Sequence, residues 1–154
     1  MSVSQAYQAA QPLGADGPAL GRILRQAGLE KTSVVRVTGP AGLTAALWLC
    51  RHGFVHAAYV HARWVGTMRS VDALVAPHAT SGEELRALLE GASCLREGGV
   101  LIAQMTREDV AGGVDSVAQM LASLGFEVEH RLSDKGRHVC IARRVDEPRF
   151  KKAA

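Results

Sequence analysis

A glycine-containing turn and two histidines have the clearest chemical potential in this chain of 154 residues. The turn, Val37-Thr38-Gly39-Pro40-Ala41-Gly42, separates a β-branched run from an amphipathic stretch. Glycines at such a strand-to-helix turn allow close approach of backbone to a ligand, and the helix N-terminus favours anions. A histidine also follows each of two later apolar runs. The candidate ligand-binding residues are therefore Thr38, Gly39, Pro40, Gly42, His61 and His78.

Other combinations of reactive side chains are weak. His52 and His56 are four residues apart, but Gly53 should end the helix between them, so they would not share a helical face. No carboxylate or cysteine accompanies them, and we expect no metal site. The sequence also lacks a Ser-His-Asp order and a nucleophile elbow, which removes the support for hydrolase chemistry.

Composition limits the class of protein. The formal net charge is +3 with mixed charges, aromatic residues make up 5%, and the basic cluster over residues 143–152 is typical of a solvated tail. These features do not favour nucleic-acid binding, and no apolar run is long enough to span a membrane. Cys50, Cys94 and Cys140 are widely spaced in apolar stretches and are expected to be buried free thiols. We expect a cytoplasmic protein of bacterial type, without a secretory signal.

Apolar periodicity predicts alternating strands and helices in one domain over residues 16–145, between a loose N-terminal arm (1–15) and a basic C-terminal tail (146–154). Strands are predicted at 33–38, 55–61, 71–76 and 100–105, helices at about 18–28, 43–53, 81–95 and 115–124, and a hairpin at 126–142. We expect Pro77 to end the third strand and Gly98-Gly99 to form a turn. The apolar face of the second helix comprises Leu43, Ala46, Leu47 and Cys50. The pattern predicts an α/β fold with a mostly parallel sheet, helices on both faces and a C-terminal antiparallel hairpin.

The second half of the chain resembles the class I S-adenosylmethionine (SAM)-dependent methyltransferases. Residues Glu83–Met105, EELRALLEGASCLREGGVLIAQM, resemble the helix, Gly-Gly turn and inner strand of that family. Residues Val117–Arg144, VAQMLASLGFEVEHRLSDKGRHVCIARR, resemble its closing helix, "aGF" turn and hairpin. The resemblance implies a methyltransferase-like Rossmann fold, with SAM as the cofactor.

The first half departs from the family pattern at the cofactor's methionine end. Alignment with the glycine-rich motif places Arg36 where an acidic residue is expected, and Thr38 and Pro40 where glycines are expected. Arg36 would then lie near the positive charges of SAM. Thr38 adds a Cβ and Pro40 removes a backbone donor, so this contact is degraded.

The ribose and adenine contacts are degraded as well. The family ends its second strand with an acid that accepts from both ribose hydroxyls, but no carboxylate occurs between Glu30 and Asp72, and His61 is a weaker acceptor. Between Gly53 and Val71 about 17 residues remain, too few for a strand, a helix and a further strand. We expect the missing strand to be the one at the sheet edge, and SAM to bind weakly or not at all.

The turn also looks like the flavoprotein dinucleotide fingerprint "GxGPAGLtAA", with Val37 in place of its first glycine. Three functions therefore stay open. They are a weak or atypical methyltransferase, a non-catalytic binding or regulatory subunit that keeps the fold without the cofactor, and a nucleotide- or flavin-binding module that uses the GPAG turn. The partner would be a second copy or another protein, bound through the sheet edge.

Overall fold

The computed structural model describes residues 11–61, 70–90, 95–106 and 114–145. Its first element is a 3-10 turn, Leu13–Ala15. The helices are α1 (Gly17–Gln26), α2 (Gly42–Arg51), α3 (Gly82–Glu90) and α4 (Val114–Ser123). The strands are β1 (Val35–Val37), β2 (Ala57–Tyr59), β3 (Val71–Thr80), β4 (Leu95–Met105), β5 (Phe126–Asp134) and β6 (Arg137–Arg144).

The described strands form one sheet in the order β2-β1-β3-β4-β6-β5. Strands β2, β1, β3 and β4 run parallel, whereas β6 is antiparallel to both β4 and β5. This confirms the predicted mostly parallel sheet with a C-terminal hairpin. In the described part of the chain β2 lies at the edge where the sequence predicts a missing strand, and residues 62–69 lie outside that part.

Helices cover both faces of the sheet, which explains why the inner strands are continuously apolar. On one face, Leu24 of α1 and Leu49 of α2 pack in a buried cluster with Val35 and Val37 of β1. On the other face, Leu85 of α3 and Leu121 of α4 belong to a second buried cluster. The ends of the strands therefore lie between two packed layers of helices.

The third strand does not end at Pro77, as the sequence analysis predicted. Strand β3 continues to Thr80, with a register irregularity between Ala76 and Thr80. Strand β1 ends at Val37, which pairs with Val75, so β1 does not extend far enough to accept a backbone hydrogen bond from residue 77. The proline is thereby accommodated, and His78 becomes part of β3.

Strand β4 begins earlier than predicted. Leu95, which the sequence analysis placed on the preceding helix, pairs with Val71, and the predicted Gly98-Gly99 turn lies inside β4. The next pair is Ala73 with Val100, so the glycines form an irregular segment rather than the link between a helix and a strand. Apolar residues satisfy a helical and a strand pattern equally well here, which is why periodicity misplaced the boundary.

The last residues of the predicted loose arm pack on the domain. Leu13 is fully buried, and its backbone N donates to Oε1 of the buried Gln104 over 2.7 Å. Asp16 then caps α1, because its side chain accepts from the backbone N of Ala19 at 3.2 Å. The buried acceptor on Gln104 gives no signal in the sequence pattern, and residues 1–10 of the predicted arm lie outside the described residues.

Candidate ligand site at the carboxyl edge of the sheet

The carboxyl ends of β1, β2 and β3 lie side by side. Val37 pairs with both Tyr59 and Val75, so the residues that follow these strands meet at one edge. Backbone hydrogen bonds from Thr38 N to Val75 O and from Val60 N to Val37 O, each 2.9 Å, fix this edge. Ligands of open α/β sheets bind at this edge, and the candidate residues lie along it.

Gly39 and His78 are in direct contact at this edge. An ideal Cβ on Gly39 would lie 2.2 Å from Cε1 and 2.3 Å from Nδ1 of the imidazole, closer than a real Cβ can approach. Gly39 also has a φ of 93°, a backbone conformation that L side chains rarely adopt. Glycine at this position therefore serves both the turn and the packing of His78.

The imidazole of His78 has an incomplete set of hydrogen bonds. Its Nε2 lies 3.4 Å from Oγ1 of Thr80, and that hydroxyl donates to the His78 carbonyl at 2.8 Å. Its buried Nδ1 has no partner among the described residues. Burial lowers the pKa of His78, and the nearby charge of Glu84 opposes that shift. The neutral imidazole is therefore favoured while the ring covers Gly39.

Thr38 contributes a second unsatisfied polar atom to the same turn. The residue is 2% exposed, and its hydroxyl has no hydrogen-bond partner in the described ranges. An unsatisfied buried hydroxyl costs about 1–3 kcal/mol, so such atoms call for an explanation. The turn and the ring packed on it thus hold two polar atoms without partners in the described part of the chain, Oγ1 of Thr38 and Nδ1 of His78.

Helix α2 begins at the end of this turn. An ideal Cβ on Gly42 would lie 2.9 Å from Cδ1 of Tyr59, so the tyrosine ring packs against the helix start. The N-cap residue, Ala41, supplies no side-chain cap, and the first turn contains no acidic residue. Pro40 is exposed beside it. The N-terminus of α2 therefore lacks the usual side-chain acceptor.

His61 and Arg36 were both expected near the cofactor. His61 is exposed two residues after the end of β2, at the position where the resemblance implies a ribose-binding acid. The guanidinium of Arg36 donates to the carbonyls of Val35 at 3.0 Å and His56 at 2.8 Å. Because these acceptors lie toward the amino end of β2, Arg36 does not reach the cofactor edge, and the prediction that it would was wrong.

A buried ion pair holds the N-terminal segment next to the edge. Nη2 of the buried Arg137 lies 2.8 Å from Oδ2 of Asp16, and Lys135 Nζ lies 3.4 Å from the same oxygen. The hydrogen bond from Arg137 lowers the pKa of Asp16. Gly14 packs on the turn itself, because an ideal Cβ there would lie 2.6 Å from the carbonyl oxygen of Ala41. The sequence analysis missed this pair, although an Asp two residues before Pro18 is a helix-start signal.

The side chains at this edge do not fit SAM in the way that the resemblance implies. His78 occupies the space beside Gly39, and Tyr59 occupies the space beside Gly42. The strand end that would carry the ribose-binding acid is followed by His61. At this edge the chain thus has its own packing on Gly39 and Gly42, and a histidine where the resemblance implies a carboxylate.

The apolar face named from the sequence of α2 is largely exposed. Leu43 is 56% exposed and Leu47 48% exposed, and beside them Val55 and Tyr59 are 68% and 39% exposed. The helix instead packs on the sheet through Ala45, Ala46 and Leu49. We call the four residues Leu43, Leu47, Val55 and Tyr59 the α2–β2 strip.

The thiols correct part of the sequence analysis. Cys140 is buried, and burial raises its pKa to about 11. Cys50 is exposed rather than buried, and its Sγ donates to the carbonyl of Ala57 at 3.2 Å, because its helix face lies at the open edge of the sheet. Cys94 lies outside the described residues.

The described residues hold neither a cluster of metal-ligating side chains nor a membrane-spanning helix. They contain no group of three or more His, Cys, Asp or Glu side chains that could hold a metal ion. None of their helices has both the length and the apolar character needed to cross a bilayer.

Comparison with solved structures identifies the fold. The chain is similar to a ribosomal protein L11 methylase from Lactobacillus delbrueckii subsp. bulgaricus, with a TM-score of 0.58 and 16% identity over 84% of this chain and 79% of that chain. It is similar to a methyltransferase from Pyrococcus furiosus, with a TM-score of 0.55 and 14% identity over 82% of each chain. No family profile and no curated protein matches the sequence.

A third similar structure is the phosphoethanolamine N-methyltransferase 2 of Haemonchus contortus, in complex with S-adenosylhomocysteine. Its TM-score is 0.59 at 12% identity, and the match covers 90% of this chain but 39% of that one. Identities this low show the fold alone. The chain has the methyltransferase-like Rossmann fold that its second half predicted.

Proposed function

We propose that this chain is a methyltransferase-like domain that has lost efficient SAM binding and acts as a non-catalytic binding or regulatory subunit. The observation that carries the proposal is the contact of His78 with Gly39, where the chain's own imidazole lies on the turn. A fold supports many functions, so the site decides between them. Here the site favours packing within the chain over contact with SAM.

SAM could bind at this edge only by displacing a contact that the chain makes with itself. Binding as in the family would require the ring of His78 to leave Gly39. It would also lack the ribose-binding carboxylate, whose hydrogen bonds are worth about 1.5–3 kcal/mol each. Both effects weaken binding, so we expect no SAM affinity in the micromolar range.

The α2–β2 strip supports the binding role. Its four side chains form part of the surface at the edge of the described sheet. Apolar patches of this kind mark interaction sites, and an edge strand offers unpaired backbone groups. We propose a second copy of the chain as the partner, because a two-fold axis would cover the same strip on both copies.

Isothermal titration calorimetry with SAM tests the loss of cofactor binding. The wild-type chain should give no measurable heat of binding up to high micromolar SAM, while an active methyltransferase in the same buffer serves as the positive control. A saturable isotherm with a low-micromolar Kd would overturn the proposal.

Light scattering tests the binding role. We expect a dimer that dissociates on dilution, and Leu47→Glu should give a monomer because it places a charge in the strip. Ala87→Glu, on an exposed position of α3 away from the strip, should leave the dimer intact. A wild-type chain that is monomeric at every concentration would contradict the proposed partner.

A weak or atypical methyltransferase is the second candidate, favoured by the similar structure that contains S-adenosylhomocysteine. The same SAM titration decides it, since methyl transfer requires that cofactor. A nucleotide- or flavin-binding module at the GPAG turn is the third candidate. Thermal shift measurements with flavin and nicotinamide cofactors test it directly.

A further inference from the structure

We infer that the turn formed by Thr38 and Gly39, together with His78 and the N-terminus of α2, binds a small oxyanion such as sulfate or phosphate. This inference goes beyond the proposed function, because it assigns to the carboxyl edge of the sheet a ligand whose charge is opposite to that of the sulfonium of SAM. It rests on two independent features, a helix start without an acceptor and buried polar atoms without partners.

The first feature is the start of α2. The helix has ten residues, and neither a side-chain cap nor an acid occupies its first turn. Gly42 N donates to Gly39 O at 2.9 Å and Ala45 N to Ala41 O at 3.2 Å, whereas the amides of Leu43 and Thr44 make no hydrogen bond within the described part of the chain. Free amides and the helix dipole together attract an anion.

The second feature is the pair of unsatisfied atoms. Thr38 is only 2% exposed, and its hydroxyl has no hydrogen-bond partner in the described residues. His78 is only half-buried, but its Nδ1 atom is inaccessible and has no partner among the described residues, on the ring that covers Gly39. An oxyanion that took the place of the ring on Gly39 would accept from the Thr38 hydroxyl and from a protonated His78.

Charge explains why proton uptake accompanies binding. Among the described residues, the groups that face His78 are the hydroxyl of Thr80 on β3, the carboxylate of Glu84 on α3 and the turn at Thr38 and Gly39. Without an anion, burial favours the neutral ring, which packs on Gly39. With an anion, the imidazolium gains a charged partner, so affinity should rise as the pH falls.

Titration with sulfate tests the inference, because sulfate keeps its charge of −2 between pH 6 and pH 8. For the wild-type chain we expect at least about tenfold tighter binding at pH 6 than at pH 8, which corresponds to about 1.4 kcal/mol. His78→Gln should lose this pH dependence, and Thr38→Val should weaken binding several-fold at both values. Both variants keep the basic C-terminal residues, which controls for sulfate bound there.

A spectroscopic measurement on the wild type covers the case in which a variant fails to fold. The proton on Cε1 of His78, followed by NMR, should show a higher pKa in saturating sulfate than in chloride. Equal sulfate binding by wild type and His78→Gln, or a His78 titration that sulfate does not change, would overturn the inference. A low-micromolar SAM isotherm would contradict the proposed function and leave the sulfate result to stand or fall on its own.

Discussion

The imidazole of His78 lies where a side chain on Gly39 would have to be, with Cε1 2.2 Å from the ideal Cβ position. The two residues come from different strand ends, and the pairing of β1 with β3 brings them together. The contact links the turn that follows β1 to the carboxyl end of β3. It is also the contact on which the proposed loss of SAM binding rests.

Gly39→Ala should destabilise the chain for two reasons. The φ of 93° costs about 1–3 kcal/mol for a residue with a Cβ, and the clash with His78 adds about 1–3 kcal/mol. Urea unfolding measures the sum. Gly28→Ala is the matched control, since Gly28 has a φ of 85° but no heavy atom within 4 Å of its ideal Cβ.

Combining Gly39→Ala with His78→Ala isolates the steric part. Removal of the ring should relieve the clash, so the double variant should be more stable than the sum of the two single effects predicts. Strictly additive effects would show that the two residues do not touch.

Leu13→Ala should lower the free energy of unfolding by about 2–5 kcal/mol, because it removes a fully buried side chain. Val145→Ala, at a position that is 40% exposed and outside the α2–β2 strip, is the control and should change it by less than about 0.5 kcal/mol. An effect of Leu13→Ala as small as the control would favour the loose arm predicted from the sequence.

Asp16→Asn should destabilise the chain at neutral pH by about 1.5–3 kcal/mol, since it removes the carboxylate that accepts from Nη2 of the buried Arg137 at 2.8 Å. The pKa of Asp16 is lowered in the folded state, so its contribution is complete above the unfolded pKa of about 4. It is lost as the pH falls through the lower folded value.

Urea unfolding at a series of pH values tests this sign. The difference between wild type and Asp16→Asn should be constant above about pH 5 and should shrink below about pH 4. Glu30→Gln, at an exposed carboxylate, is the control for general effects of charge removal. A difference that grows on acidification would contradict the account of the Asp16–Arg137 pair.

The two described thiols should react at very different rates. Cys50 is exposed and should be alkylated in the native protein, whereas Cys140 is buried with its pKa raised to about 11 and should react only after unfolding. Mass spectrometry of peptides after timed iodoacetamide treatment separates the two sites. Rapid native labelling of Cys140 would show that the β6 core is not closed.

The sequence predicted the fold class because its signals are local. Alternating apolar runs predicted the strands and helices, and β5 and β6 form the hairpin predicted at 126–142. The structure also shows a local cap, in which Ser81 Oγ accepts from Glu84 N at 3.1 Å at the start of α3. The strand boundaries predicted at Pro77 and Leu95 were wrong, because they depend on where the neighbouring strands begin and end.

The candidate site was only partly predictable for the same reason. The order of residues identified the turn and placed His78 at the correct edge. It could not reveal that His78 packs on Gly39, that Arg36 turns toward His56, or that Leu47 is exposed. These outcomes depend on contacts between distant segments and on how far the sheet extends beyond β2.

A crystal structure of the chain grown in millimolar SAM shows whether His78 or the cofactor lies on the turn. We expect that the ring of His78 still lies on Gly39 and that no adenosyl group occupies the edge of the sheet. An ordered adenosyl ligand seated over Thr38–Gly42, with other side chains in place of the missing carboxylate, would contradict it.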